Sequence, residues 1–463
     1  MTVTSETART TWSTRLLPTL LMAMIVAPVA QTAVVPMLPS LSHEFGVSAA
    51  AVSWVMTANL LAAAVGTPLL GRLGDVRGHK PVLVLCLLVA AAGSLLAALT
   101  SSFPLLIAAR VLQGVGAGVL PLAISIIRAE IPKDRVAGGL AMVSVSMGLG
   151  SALGVVASGV LLVLWPHQSV FWLLLALGVL AVVPVVLVVP RRRPEVRAGG
   201  ADPWGALTLA AWLLALLVAI SQGNVWGWTD WRTGGLLGAA AVFLVVWCLV
   251  ERRVRYPIVD LPMLGDRTVA LSNVAGALTG FGMYGAFIAM SSMAQAPVAL
   301  GVGFGATALG AGLMLLPNSA GNLAAGVLGR FTLHRRGPRL TLALGGFLSA
   351  VGVGMLVVQH DVVVLYLASG LFGIGTGLAF AAIPTYINDA VSPDRTGVAN
   401  GMNAVLRTVG SATGSAVMGA VLSSDRIAGT QWPTVSSYQL AFGITAVAFA
   451  VSALVPFAIR RSR

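Results

Sequence analysis

Fourteen long apolar runs, separated by short polar connectors, constrain this chain more than any other feature. A hydrocarbon core of about 30 Å needs roughly 20 apolar residues per crossing helix. On that ruler the spans fall at 16–38, 50–70, 81–99, 104–127, 136–164, 170–189, 203–220, 234–250, 269–296, 304–328, 340–358, 362–387, 398–422 and 438–459. Inside lipid each backbone N–H and C=O has to be satisfied within its own segment, so runs of this length fold as helices. The expected class is an all-α integral membrane protein. Charged residues make up 9% of the chain and the mean hydropathy is +0.92, outside the range of a soluble domain. The net charge of +13 does not point to nucleic acid, because basic residues set between apolar runs orient membrane helices rather than build one basic face.

Those basic residues give an orientation. Cytoplasmic loops collect Lys and Arg; with the N-terminus inside, about 24 of the 28 fall on or near the cytoplasmic side. Arg232 and Arg426 fall outside, and Arg110 and Arg407 within spans. Tryptophans gather near span ends, and the cluster Trp226, Trp228 and Trp231 reads as an interfacial anchor or the rim of a substrate entrance. Residues 1–15 form a polar cytoplasmic N-terminus, and the run after them is too long and too broken by proline for a cleaved leader, so it is expected to stay as the first span. Cys86 and Cys248 lie far apart in apolar runs, and the five histidines are scattered over different loops. No disulfide framework, metal site or cofactor is expected. No phosphate-binding G-x-x-x-x-G-K-[ST] occurs, so energy has to come from a gradient or another subunit. Sparse lysine beside abundant Ala, Gly, Val and Arg suggests GC-rich coding and a bacterial cell membrane.

The chain also repeats itself at an offset of about 259 residues. Gly114, Gly116 and Gly118 recur as Gly373, Gly375 and Gly377, Glu130 recurs as Asp389, and Lys80 meets Arg339. Spans 1–6 are therefore repeated as spans 9–14. This divides the chain into a six-helix bundle at 16–189, a basic linker with two inserted helices at 190–268, a second six-helix bundle at 269–459 and a cytoplasmic tail at 460–463. Parallel repeats of this kind place a substrate path between the halves and work by rocking.

Between spans 2 and 3 lies GRLGDVRGHKPVL, residues 71–83, read as a short polar loop. Gly71, Leu73, Asp75, Gly78 and Lys80 match G-x-L-x-D-x-x-G-x-K, the loop that the major facilitator superfamily carries at this place. Spacing, repeat and insert together resemble that superfamily's fourteen-span drug:proton antiporter branch, and the resemblance covers nearly the whole chain. It implies two six-helix bundles plus two inserted helices. It also implies a cytoplasmic latch in which Asp75 pairs with a nearby cation or a helix N-terminus, with Arg77, Arg128, Lys133 and Arg135 as candidate partners, and Glu130 as a second switching acid. Arg110, Gln113, Gly114 and Gly116 resemble the span 4 motif, whose arginine is linked to proton coupling or to substrate. The alternative for Arg110 is snorkelling to the outer headgroups. Gly148, Gly150, Gly154 and Gly159 resemble the span 5 antiporter motif as a packing stripe, although Val155 and Ser158 replace its proline and one glycine.

Polar residues within spans supply the remaining candidates. Asn403 and Arg407 share one helical face in span 13, while Asn318 and Asn322 form an i, i+4 pair that suits ligand contact or helix-to-helix bonding equally well. Gln31, Asn59, Tyr284 and Gln295 complete the expected cavity lining. The branch carries an aspartate in span 1, within D-x-T-x-x-N-x-A-L-P; the corresponding stretch here, AQTAVVPMLP, has Ala30 at that position. Every Asp and Glu falls in a loop or at a span end, so the interior charges are Arg110 and Arg407, and neutral, zwitterionic or anionic cargo is favoured over cationic. The expected activity is export of a small hydrophobic substrate, such as a drug, antibiotic or secondary metabolite, coupled to proton influx, by a protein that the resemblance implies is a monomer in the lipid bilayer. The rivals are an uncoupled facilitator, or an exporter of organic anions or lipids, on the same fold. An integral membrane enzyme lacks a nucleophile, metal set or acid pair, and a sensor that no longer transports sits poorly with Asp75 and Arg110.

Overall fold

The computed structural model describes the chain apart from residues 1–2, 35–36, 38–40, 42–43, 48, 53, 193–201, 255–260, 302, 360, 393–395, 429, 431 and 460–463, and apart from the side chains of 3–14, 49–50, 75, 133–137, 140–141, 144, 203, 224, 300, 308–309 and 397. Among the described residues thirteen helices are long and apolar enough to cross a membrane. In chain order these are α1 (Val3–Thr32), α2 (Trp54–Arg77), α3 (His79–Leu99), a span made of α4 (Phe103–Val115) and α5 (Val119–Glu130), α6 (Lys133–Leu164), α7 (Gln168–Val188), α8 (Pro203–Trp226), α9 (Trp231–Arg253), α10 (Arg267–Gln295), α11 (Leu316–Val358), α12 (Val362–Ala390), α13 (Thr396–Ser424) and α14 (Val435–Ala458).

One of the thirteen candidate spans is two. The run Gly310–Val358 is 49 residues long, which at 1.5 Å per residue would reach about 73 Å, more than twice the hydrocarbon core. Its helix is broken at Gly337, with φ 74 and ψ 175. A glycine accepts that left-handed φ without a Cβ clash, and Pro338 pushes the residue before it out of the helical region. Counted as two crossings, the architecture has the fourteen spans read from the sequence.

The polar stretch 71–83 is not a loop. Helix α2 runs through it to Arg77 and α3 starts at His79, so the connection is Gly78 alone, with φ 96 and ψ 141. The second copy behaves alike, helical up to Gly337, which stands at the repeat offset from Gly78. The physical reason is that a polar helix can project past the edge of the hydrocarbon with its backbone still self-satisfied. Only the turn itself then needs a special residue. The N–H of Gly78 still donates to Gly74 O at 2.8 Å.

The chain divides into two compact units, 1–202 and 203–463. The inserted helices α8 and α9 belong to the second, where they pair with each other and α8 packs on α13. In the first unit the core lies in two apolar clusters. One holds Leu20, Leu83, Leu122 and Val185 toward the helix ends that meet at Gly78; the other holds Met37, Leu106 and Phe171 toward their opposite ends. There Nδ1 of His167 lies 2.6 Å from the carboxylate of Glu44, joining the α6–α7 connection to the segment after α1. The second unit repeats this division, with clusters about Phe372 and Tyr438 and about Leu342 and Ile383. What separates the clusters in each unit is a layer of buried polar side chains.

Candidate functional site

In the first unit that layer is built around Arg110, which is 1% exposed. At that burial the side chain does not snorkel. Its Nε donates to Val55 O at 2.7 Å, and one terminal nitrogen donates to Ala30 O at 3.1 Å and Gln113 Oε1 at 2.5 Å. Gln113 Nε2 donates onward to Ser94 Oγ at 3.0 Å, and Asn59 Nδ2 donates to Arg110 O at 3.2 Å. A guanidinium in the membrane interior costs about 2.5–3.5 kcal/mol unless compensated, and here a fork of donors is met by carbonyl oxygens from three helices. Ala30 lies in the last turn of α1, where terminal carbonyls lack intrahelical partners. Arg110 therefore acts as a buried cap on the C-terminus of α1. The branch's acid position is filled by a residue that lends its carbonyl to the same arginine.

Glycines let the helices approach closely enough for this. A Cβ on Gly114 would come 2.5 Å from Asn59 O, one on Gly116 3.1 Å from Ala90 Cβ, and one on Gly150 3.0 Å from Ile25 O. The helix tightens into a 3₁₀ turn over Gly116–Gly118. Gly159 is buried as well. The repeat extends to these contacts, since Gly373 meets Asn318 O as Gly114 meets Asn59 O. Where the first half has Arg110, the second has Ser369, whose hydroxyl accepts from Asn318 N at 3.2 Å.

At the Gly78 end the structure brings together a pair that sequence reading missed. Arg192, just beyond α7, holds Glu130 by two nitrogens, Nε to Oε1 at 2.5 Å and a terminal nitrogen to Oε2 at 3.2 Å. Its carbonyl lies 3.3 Å from where a Cβ on Gly78 would stand, and Lys80 Nζ donates to Val186 O at 2.8 Å. The start of the basic linker is thus folded against the Gly78 hinge. The available signal was the Arg191–Arg193 run on the same membrane face as Glu130. Asp75 is in the last turn of α2, but its side chain, like those of Lys133 and Arg135, lies outside the described residues. Arg77 is exposed, Arg128 half-buried, and Gly71 has open space about it.

Since the Arg192 side chain is 55% exposed, the pair contributes under about 1 kcal/mol to stability. Its expected effect is on the linker. Glu130→Gln should speed tryptic cleavage in the linker severalfold with little change in thermal stability, and Glu130→Arg with Arg192→Glu should restore protection. Equal cleavage in all forms would remove the pair from any role in holding the linker.

In the second unit the cavity candidates separate into two kinds. Asn403, 5% exposed, spends its amide on α10, donating to Ser272 O and Asn273 Oδ1 at 3.1 Å each. Asn322 donates to Asn318 O and to Thr376 Oγ1 at 3.4 Å each. Gln295 donates within its own helix, to Ser291. Asn403 and Asn322 thus join helices, while Gln295 is held within its own. Arg407 differs: it is partly exposed, its guanidinium stacks over Phe380 of α12 at 5.0 Å from the ring centroid, and Tyr284 of α10 is its electrostatic neighbour. Gln31 in the first unit is also partly exposed. Among the described residues no group of His, Cys, Asp or Glu is arranged to hold a metal.

Comparison with known proteins places the chain in a family. The family profile described as Major Facilitator Superfamily matches residues 20–289 and again 270–463. The multidrug resistance protein Stp of Mycobacterium tuberculosis is 28% identical over 391 residues, covering 84% of this chain and 72% of its own length. The tetracenomycin C resistance and export protein of Streptomyces glaucescens is 26% identical, over 80% and 72%. The multidrug transporter protein MdtP of Bacillus subtilis is 25% identical, over 89% and 75%. Among solved structures, the human organic anion transporter MFSD10 superposes with a TM-score of 0.70 at 16% identity, covering 96% of this chain and 99% of that one.

Proposed function

The chain belongs to the Major Facilitator Superfamily, and from that premise we propose that it exports hydrophobic small molecules, such as drugs, antibiotics or secondary metabolites, by alternating access coupled to proton influx. It is a multi-pass transporter rather than an enzyme, and bacterial relatives named for multidrug resistance and for antibiotic export support the cargo class. The observation that carries the reading is the cage about Arg110. It ties α1, α2, α3 and α4 at the level where the apolar core is interrupted, so that a change at this one side chain reaches four helices at once. The proton route runs by Asp75, Glu130 or waters near Arg110, in a bacterial cell membrane with both termini cytoplasmic and the protein acting as a monomer.

A second reading is favoured by one residue. Ala30 brings no titratable group to Arg110, only a carbonyl at 3.1 Å, which suits an uncoupled facilitator or an exporter of organic anions or lipids. Efflux of fluorescent cationic, neutral and anionic compounds from cells expressing the chain separates the two. Collapse of the proton gradient is expected to slow export roughly tenfold or more, equivalent to about 1.4 kcal/mol in the barrier. Export that ignores the gradient would overturn the coupled reading and leave the facilitator.

A further inference from the structure

The two interior arginines are not equivalent. Arg110 has its donors turned onto Ala30 O, Val55 O and Gln113 Oε1 and is 1% exposed. Arg407 lies about 16 Å along α13 from Thr396, near mid-span. Its backbone is pressed against Gly280 of α10, which fixes the direction of the side chain. The guanidinium carbon lies over the ring of Phe380, 5.0 Å from its centroid. Among the described residues no carboxylate, carbonyl or hydroxyl accepts a hydrogen bond from it, and the side chain keeps solvent access. The described acids all stand in connectors or at helix ends. A mid-membrane guanidinium held over an aromatic ring, with no acceptor among the described residues for its N–H groups, is a preorganised receptor for a planar anion, because its donors form a fork that matches a carboxylate. The half-buried rings of Phe380 and Tyr284 supply an apolar wall.

We propose that Arg407, Phe380 and Tyr284 form a binding site in the second unit for planar aromatic anions, with the anionic group on Arg407 and the ring against Phe380. This deepens the export reading, on which it rests for the role of the bound molecule as cargo. Asn403, four residues before Arg407, is not part of the site, since its amide is held by Ser272 and Asn273.

Isothermal titration of the purified full chain in detergent with 2-naphthoate, 2-naphthamide and 2-naphthylmethylammonium tests the site directly. The wild type is expected to bind naphthoate about tenfold or more tightly than the amide, and the ammonium most weakly, since a charge-assisted fork adds at least that factor. Arg407→Gln should erase the preference of naphthoate over the amide. Arg407→Lys, which keeps the charge but loses the fork, should retain part of it, and Phe380→Leu should weaken all three probes. Equal binding of the three by the wild type, preference for the ammonium, failure to bind any of them, or a preference that survives Arg407→Gln would each overturn the site. Uptake of naphthoate into inside-out vesicles is the separate arm. Binding that depends on Arg407 without any uptake would sink the export reading and leave the site standing, whereas uptake of neutral dyes with no naphthoate preference would do the reverse.

Discussion

Replacing Arg110 by alanine is expected to abolish export, by a factor of about 100 or more, and to lower stability by about 2–4 kcal/mol. The two losses have different origins. Removing the side chain leaves a cavity between α1, α2 and α4 and strands Gln113 Oε1 and the terminal carbonyl of Ala30, which the guanidinium satisfies at 2.5 and 3.1 Å. Against this stands a gain, because a buried cation no longer has to be kept from water. Arg110→Met fills most of the space without the charge, so it should recover most of the stability and none of the transport. Arg110→Lys keeps the charge, but a single ammonium cannot reproduce the separate bonds to Val55 O and to the Ala30 and Gln113 oxygens, so transport should stay low. Thermal unfolding in detergent and dye efflux in cells read the two effects independently. A methionine variant that still exports would reduce Arg110 to a packing element and take the proposed mechanism with it.

Where sequence reading and structure part company, the cause is geometric. The spans were legible because hydrocarbon thickness sets a length that apolar runs must meet, and the repeat was legible because the glycines at 114, 116 and 118 recur at 373, 375 and 377, with Gly373 meeting Asn318 O as Gly114 meets Asn59 O. The direction in which Asn403 points was not legible. Its helix also carries Asn400, Arg407, Thr408, Ser411 and Thr413, so a polar side chain there can face a neighbouring helix or a cavity with the same local sequence. Whether Asn273 stands within 3.1 Å is settled by the position of α10. The helical form of 71–77 was hidden because polar composition is shared by loops and by helices that emerge from lipid. The Glu130–Arg192 pair joins residues 62 positions apart, and only folding of the linker beneath α3 reveals which of the several nearby cations is the partner.

Glycine substitutions should divide the motif glycines into two classes, and the division reaches from packing to gating. At Gly154 a Cβ would overlap Thr32 Oγ1 and stand 2.8 Å from Val29 O and 3.1 Å from Ala33 N. Thr32 cannot yield freely, because its hydroxyl already bridges Pro28 O at 3.0 Å and Ser151 O at 2.9 Å, and the other two atoms are backbone. Gly154→Val therefore drives α6 away from α1, with an expected destabilisation of about 3 kcal/mol or more and loss of folded protein from the membrane. Gly71 is the opposite case. No atom lies within 4 Å of its hypothetical Cβ, and it sits inside α2. Gly71→Ala removes a residue that costs a helix up to about 1 kcal/mol, so the protein should be as stable as the wild type or slightly more so. Any change in efflux rate at unchanged expression then reports on movement at the α2–α3 connection rather than on folding. Gly78→Ala falls between them: the neighbouring Arg192 carbonyl leaves little room, and the left-handed φ of 96 costs about 1–2 kcal/mol for any residue with a Cβ. Membrane expression and size-exclusion profiles of the three variants, read beside efflux, should rank them Gly71→Ala, Gly78→Ala, Gly154→Val from most to least folded. If Gly154→Val instead proved as well folded as Gly71→Ala, the tight packing of α6 on α1 would not exist in the membrane. The shared bond of Thr32 to α6 would then lose its place in holding the helix that Arg110 caps.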